Sequence, residues 1–156
     1  MKKFLLSFIS FLSLFLITAC NDTKVINENA NSTDIKEQTN QESDNMSSIN
    51  VIINNNSYVL NLEDNQTAKD FLKLLPKEYI MNELNGNEKY IYLDSSLTTN
   101  SSNPKSINKG DVMLFGDNCL VVFYKSFNTN YSYTKIGHIA NLPDLGKENI
   151  VIKFEN

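Results

Sequence analysis

One histidine, His138, stands in the 156-residue chain, so any Ser-His-Asp relay would have to be built around it. Its neighbours Gly137 and Ile139 suggest a strand edge or a barrel mouth, and the competing reading is a hydrogen-bonded structural or surface histidine. That histidine and one cysteine in an apolar strand fall short of the usual zinc ligand sets, so neither a metal nor another cofactor is expected. Glu88, beside Lys89 and Tyr90, could set a carboxylate at a pocket rim. The competing reading is an outward Glu88 next to an inward Tyr90 in an alternating strand. Asp111 after Gly110 reads as a ligand carboxylate or as a turn cap that binds backbone N–H groups.

The most suggestive cluster is aromatic. Tyr124, Tyr131 and Tyr133 fall close together with Phe127. Tyrosine combines a large contact area with a polar tip, which suits peptide or carbohydrate. The alternative is that these rings cover a barrel rim. The candidate ligand-binding set is therefore Glu88, Tyr90, Tyr124, Tyr131, Tyr133 and His138, and no residue is assigned a catalytic role.

Absences narrow the chemistry further. All fourteen basic residues are lysine, and tryptophan is missing. Chemistry that needs a fixed guanidinium fork is excluded. The formal charge is −4, and removing Met1–Ala19 with its two lysines makes it −6, which argues against a nucleic-acid surface. The only cysteines, Cys20 and Cys119, make no disulfide framework. Cys119 lies in an apolar run, where a free cysteine behaves as a small hydrophobe.

The N-terminus reads as an address. Met1-Lys2-Lys3 is positive, Phe4–Ile17 is apolar apart from serines, and Thr18 and Ala19 precede Cys20. This is the layout of a cleaved secretory leader spanning residues 1–19, too short for a comfortable permanent span. Leu16-Ile17-Thr18-Ala19-Cys20 resembles a bacterial lipobox, which implies diacylglycerol on the Cys20 thiol, cleavage before it and attachment to the cell membrane or outer envelope, facing out of the cytoplasm. Two or three acyl chains hold firmly where one does not. Asn21–Ser48 is polar and free of aromatic residues, so it reads as a disordered tether spanning about 30 Å.

The folded part is expected over residues 49–156, organised around Gly110–Ile139, the densest apolar segment outside the leader. Ile49–Asn54 and Ser57–Leu62 alternate as a hairpin through Asn55-Asn56. Thr67-Ala68-Lys69-Asp70 looks like a helix cap, with Ala68, Phe71, Leu72 and Leu75 on one apolar face and Pro76 as the stop. Tyr79–Leu84 and Glu88–Asp94 flank the hairpin signal Asn85-Gly86. Ser95–Lys109 is polar and reads as a surface loop. Val112–Phe115 and Cys119–Tyr124 are near-continuous apolar strands, consistent with burial on both faces. Phe127–Thr134 reads as an exposed loop or edge, and Leu142–Gly146 as one helical turn. Ile150, Ile152 and Phe154 alternate in a last strand that pairs with the first and closes a barrel.

Taken together, Asn65-x-Thr67-Ala68, Leu75-Pro76, Glu88-Lys89-Tyr90, Gly110-Asp111, Phe123-Tyr124 and Tyr133-Thr134-x-Ile136-Gly137 resemble the bacterial cyclophilin-like fold family over residues 49–156. The resemblance implies a mainly β, closed barrel with one main helix packed over an end. True cyclophilins isomerise X-Pro bonds with a catalytic arginine, a nearby glutamine and an apolar proline pocket. This chain has no arginine, and it lacks the tryptophan common at the pocket rim. The leading expectation is an envelope-anchored binding module for an extracytoplasmic ligand or protein. The alternatives are an atypical peptidyl-prolyl isomerase of envelope proteins and an accessory lipoprotein without a small ligand.

Overall fold

The computed structural model of the chain describes residues 48–156; the expected leader, Cys20 and the tether up to residue 47 lie outside the described residues. The first two strands, β1 (Ser48–Ile53) and β2 (Asn56–Leu62), form a hairpin. Ser48 is already paired with Asn61, so the strand starts inside the expected tether. The turn is Asn54-Asn55, one residue earlier than expected. Both residues have left-handed φ, 49° and 63°, which asparagine tolerates and which the twist of a tight hairpin requires.

Helix α1 (Gln66–Leu72) is capped by Asn65 rather than Thr67. The Asn65 Oδ1 accepts from the Ala68 N–H at 2.8 Å, while its Nδ2 donates to the Lys135 carbonyl at 2.8 Å. Both residue types can cap a helix, and the second bond, to a carbonyl 70 residues away, favours Asn65. Thr67 is buried inside the first turn and donates its hydroxyl to the Thr98 carbonyl at 2.6 Å. Ala68 and Phe71 are buried as expected, and the helix ends at Leu72, short of Pro76.

Strands β3 (Lys77–Leu84) and β4 (Glu88–Tyr92) follow, joined through Asn85-Gly86. After them come β5 (Ser106–Ile107), β6 (Asp111–Phe115), β7 (Cys119–Phe123), β8 (Phe127–Asn128), β9 (Thr134–Ile139) and β10 (Ile150–Glu155). Eight strands close into an antiparallel barrel in the order β1-β10-β3-β4-β7-β6-β9-β2, with β2 returning to β1. The last strand lies between the first and the third, so closure removes the exposed edges. At the β2–β9 seam the backbones come so close that a Cβ on Gly137 would lie 2.3 Å from the Asn61 carbonyl oxygen, which explains the glycine there.

Alternation sorts the side chains into two cores. Val51, Leu60, Val112, Leu114, Leu120, Val122, Ile136, Ile152 and Phe154 fill the barrel, with Phe71 among them. Met113, Cys119, Val121 and Phe123 point the other way, into a second cluster on the outside with Ile107 and Tyr133. The apolar runs of β6 and β7 are thus buried on both faces, each against a different cover.

That outer cover is built from segments expected to be loops. Residues 95–109 are not a free surface loop: Ile107 is buried in the outer cluster and Leu97 in that of the barrel, β5 pairs with β8, and Ser102 exchanges backbone hydrogen bonds with Tyr133. Nor is 127–134 simply exposed, since Thr129, Tyr133 and Thr134 are buried. The helical turn expected at Leu142–Gly146 is absent. Gly146 takes φ 66°, and its carbonyl is held by the Lys89 ammonium, which leaves no helical repeat.

Candidate functional site: a tyrosine-walled groove on the outer barrel face

On β4, Glu88, Tyr90 and Tyr92 occupy alternate positions and share the outer face, while Lys89 between them is fully buried. Glu88 and Tyr90 therefore face the same way; the alternative of an outward Glu88 beside an inward Tyr90 is excluded. Across the ladder, Tyr90 is opposite Val121 and Tyr92 opposite Cys119. Beyond them, Cys119 is opposite Phe115 on β6. The central strand thus carries two small outer residues between large ones on either side. Strands one apart in a sheet are separated by about 4.8 Å, so β4 and β6 stand about 9.5 Å apart.

The resulting groove has a volume of about 320 Å³. Cys119 and Val121 lie in it, with Tyr90 and Tyr92 on one side and Phe115, Tyr131 and Tyr133 on the other. Tyr90 meets Tyr92 edge-on at 6.0 Å, and Phe115 meets Tyr131 edge-on at 6.0 Å. Leu84, Tyr92, Phe115 and Tyr131 are among the few large apolar side chains left exposed, and all four line this groove. Exposed apolar surface gathered at one place makes this groove the candidate site.

Of the six residues singled out from sequence, the structure brings four together here: Glu88, Tyr90, Tyr131 and Tyr133. Their exposures differ in a way that matters. Tyr131 is 65% exposed and Tyr133 only 8%, packed edge-on to Phe123 at 5.5 Å. Tyr133 is a wall anchored in the outer core, and Tyr131 is free to meet a ligand.

The other two lie elsewhere. Tyr124 is 1% exposed and continues the inward alternation of Leu120 and Val122. Its hydroxyl donates to Glu83 Oε1 at 3.2 Å, and burial, with the Glu83 charge second, pushes it up to about 12. His138 sits at the β6–β9 ladder opposite Asp111, with Nδ1 3.0 Å from the Asp111 carboxylate. Asp111 is itself buried and accepts from the Asn108 N–H at 2.8 Å, the turn-capping role anticipated for it. Among the described residues no serine hydroxyl bonds to His138, and no three His, Cys, Asp or Glu side chains gather as a metal site.

Tyr92, Phe115 and Val121 were missed from sequence, although a signal existed. Alternation from Glu88 leads through Tyr90 to Tyr92, and Phe115 ends the apolar run of β6.

Three ionisable groups in the groove are perturbed, and burial, with the Glu88 charge second, raises the Tyr133 hydroxyl. Burial, with the Glu83 charge second, raises the Glu88 carboxyl above the usual range. Burial, reinforced by Glu88, pushes the Cys119 thiol up to about 11, which makes it an inert packing group rather than a nucleophile. A thiol whose folded-state value is raised contributes stability that is complete below its unfolded value and lost as pH rises through the folded value. Between pH 8 and pH 11 the wild-type barrel should therefore lose about 2 kcal/mol more stability than a Cys119→Ala variant, measured by urea denaturation at each pH.

A sequence profile of the Cyclophilin-like family matches residues 51–155, two thirds of the chain and almost the whole barrel. The chain belongs to the Cyclophilin-like family. No curated protein and no solved structure matched it. In this cyclophilin-like barrel the residues lining the groove include one carboxylate, Glu88, and no cationic side chain. Hydrogen-bond donors there are the tyrosine hydroxyls and the Asn85 amide. The lining thus offers apolar contact and neutral hydrogen-bonding groups beside a single carboxylate.

Proposed function

We propose that the chain is a binding module that the cell envelope carries on a lipid anchor, and that the groove along the outer face of β4, β7 and β6 takes an extracytoplasmic ligand. The observation that carries this reading is the gathering of exposed Leu84, Tyr92, Phe115 and Tyr131 around the small residues Cys119 and Val121. The anchor rests on the leader pattern and on Cys20, and mass spectrometry of the chain from membranes should find Cys20 N-terminal and acylated. An uncleaved, unacylated leader would remove the envelope part of the reading and leave the groove untouched.

The groove is tested by a thermal-shift screen of short peptides and oligosaccharides, because a ligand of the native state must raise the melting temperature. Tyr131→Ala removes a mostly exposed ring whose contact is with Phe115, so its own stability should fall by no more than about 1 kcal/mol. The shift produced by any groove ligand should nevertheless vanish in that variant. A hit that stabilises wild type and Tyr131→Ala equally would place binding elsewhere.

Isomerase activity is the second reading, supported by family membership. The uncatalysed barrier is about 18–20 kcal/mol, and lowering it needs a donor at the amide. With no arginine in the chain and no cationic group lining the groove, a coupled proline-peptide assay should show no acceleration. Clear turnover lost in Tyr131→Ala would instead make the same groove an active site.

A further inference from the structure

We propose that the group seated in this groove is an organic cation of the quaternary ammonium type. The inference rests on the groove being a binding site and names the chemistry of its ligand. Five aromatic side chains line the groove, Tyr90, Tyr92, Phe115, Tyr131 and Tyr133. Aromatic faces carry negative charge density and attract cations, most of all soft cations that bring no hydrogen bonds of their own to satisfy.

Glu88 supplies the countercharge. It lies on the outer face of β4, two residues before Tyr90, and no ion pair or hydrogen bond engages its carboxylate among the described residues. It is half-buried against the second core, and burial raises its carboxyl. A carboxylate in that setting gains from a cation that replaces lost water. The small residues between the walls decide which kind of cation. Val121 offers no acceptor, and the Cys119 thiol is a weak one. A primary ammonium would have to carry its three donors to the Glu88 carboxylate, the Asn85 amide oxygen or the tyrosine hydroxyls, whereas a trimethylammonium head has none to satisfy and can rest against Val121, Cys119 and the rings. The chain as a whole is acidic, which favours the approach of a cation.

The experiment titrates the full chain with choline, with its neutral carbon isostere 3,3-dimethylbutan-1-ol, and with n-butylammonium, following the methyl resonances of Val121. Choline should bind at least tenfold more tightly than the neutral isostere. Glu88→Gln should cut that preference severalfold by removing the countercharge, and the aromatic faces should keep choline the tighter ligand. Equal affinity for choline and its isostere would overturn the charge preference but keep the groove as a binding site. Tighter binding of n-butylammonium than of choline would overturn the quaternary preference in favour of a hydrogen-bonded amine. If neither choline nor the isostere moves Val121, the cation inference falls and the groove itself is in question.

Discussion

Truncating Phe71 to alanine should lower the stability of the barrel by roughly 3–5 kcal/mol and its melting temperature by more than about 12 °C. Phe71 is the large apolar residue of α1 that is wholly buried, and its ring meets Phe154 of the closing strand edge-on at 5.2 Å. Phe154 in turn contacts Tyr79 of β3 at 6.2 Å. A seven-residue helix is too short to persist on its own propensity, so this one ring ties α1 to the closure of the barrel. Native domains hold only about 5–15 kcal/mol in all, so the loss is a large share of the total. Phe71→Leu keeps most of the volume and should recover much of it. Because Phe71 belongs to the inner core, the fraction still folded should bind groove ligands with unchanged affinity. A matching loss of affinity in the folded fraction would show that the two cores are coupled.

The separation of those cores was only half visible in the sequence. Apolar runs at Val112–Phe115 and Cys119–Tyr124 announce burial on both faces, but not what covers each face. The outer cover comes from residues 95–109 and 127–134, which read from sequence as a surface loop and as an exposed loop or edge. Their order depends on two-residue strands and on single buried side chains such as Ile107, which leave no periodic trace. Barrel closure was more legible, because Ile150, Ile152 and Phe154 alternate in a terminal segment that must find a partner. Tyr124 and Tyr133 show the limit of composition. Both are tyrosines in one aromatic cluster of the sequence, yet alternation along β7 turns Tyr124 into the barrel while Tyr133 joins the outer core. The helix cap was misplaced for a similar reason, since Asn65 and Thr67 are both good caps and a distant carbonyl decides between them.

Replacing Lys89 by methionine should lower stability by roughly 2 kcal/mol and, unlike loss of Phe71, should also damage the groove. A lysine in a strand ordinarily reads as solvated, but this one is 0% exposed. Its ammonium donates to the Gly146 and Glu148 carbonyls, each at 2.7 Å, and lies 5.0 Å from the centroid of the Tyr124 ring. Burial lowers its pKa, while the Glu83, Glu148 and Asp144 charges act in the opposite direction. Methionine matches the length of the stem and removes the donors. Two backbone carbonyls then lose a charged donor, and because Gly146 and Glu148 lie at the surface water replaces part of each bond, so each costs about 1 kcal/mol, the low end for a lost partner. The relief of no longer burying an ammonium offsets part of that loss, and the packing of the stem is kept. The chain between β9 and β10 loses its tie to β4. The consequence for the groove follows from strand geometry. Lys89 is the inward residue between Glu88 and Tyr90, so the bonds that fix it also fix which way its two neighbours face. Urea denaturation should show the stability loss, and the folded fraction should bind choline less tightly than wild type does. If stability falls while affinity in the folded fraction is unchanged, Lys89 holds only the loop, and β4 keeps its facing through the ladder with β7 alone.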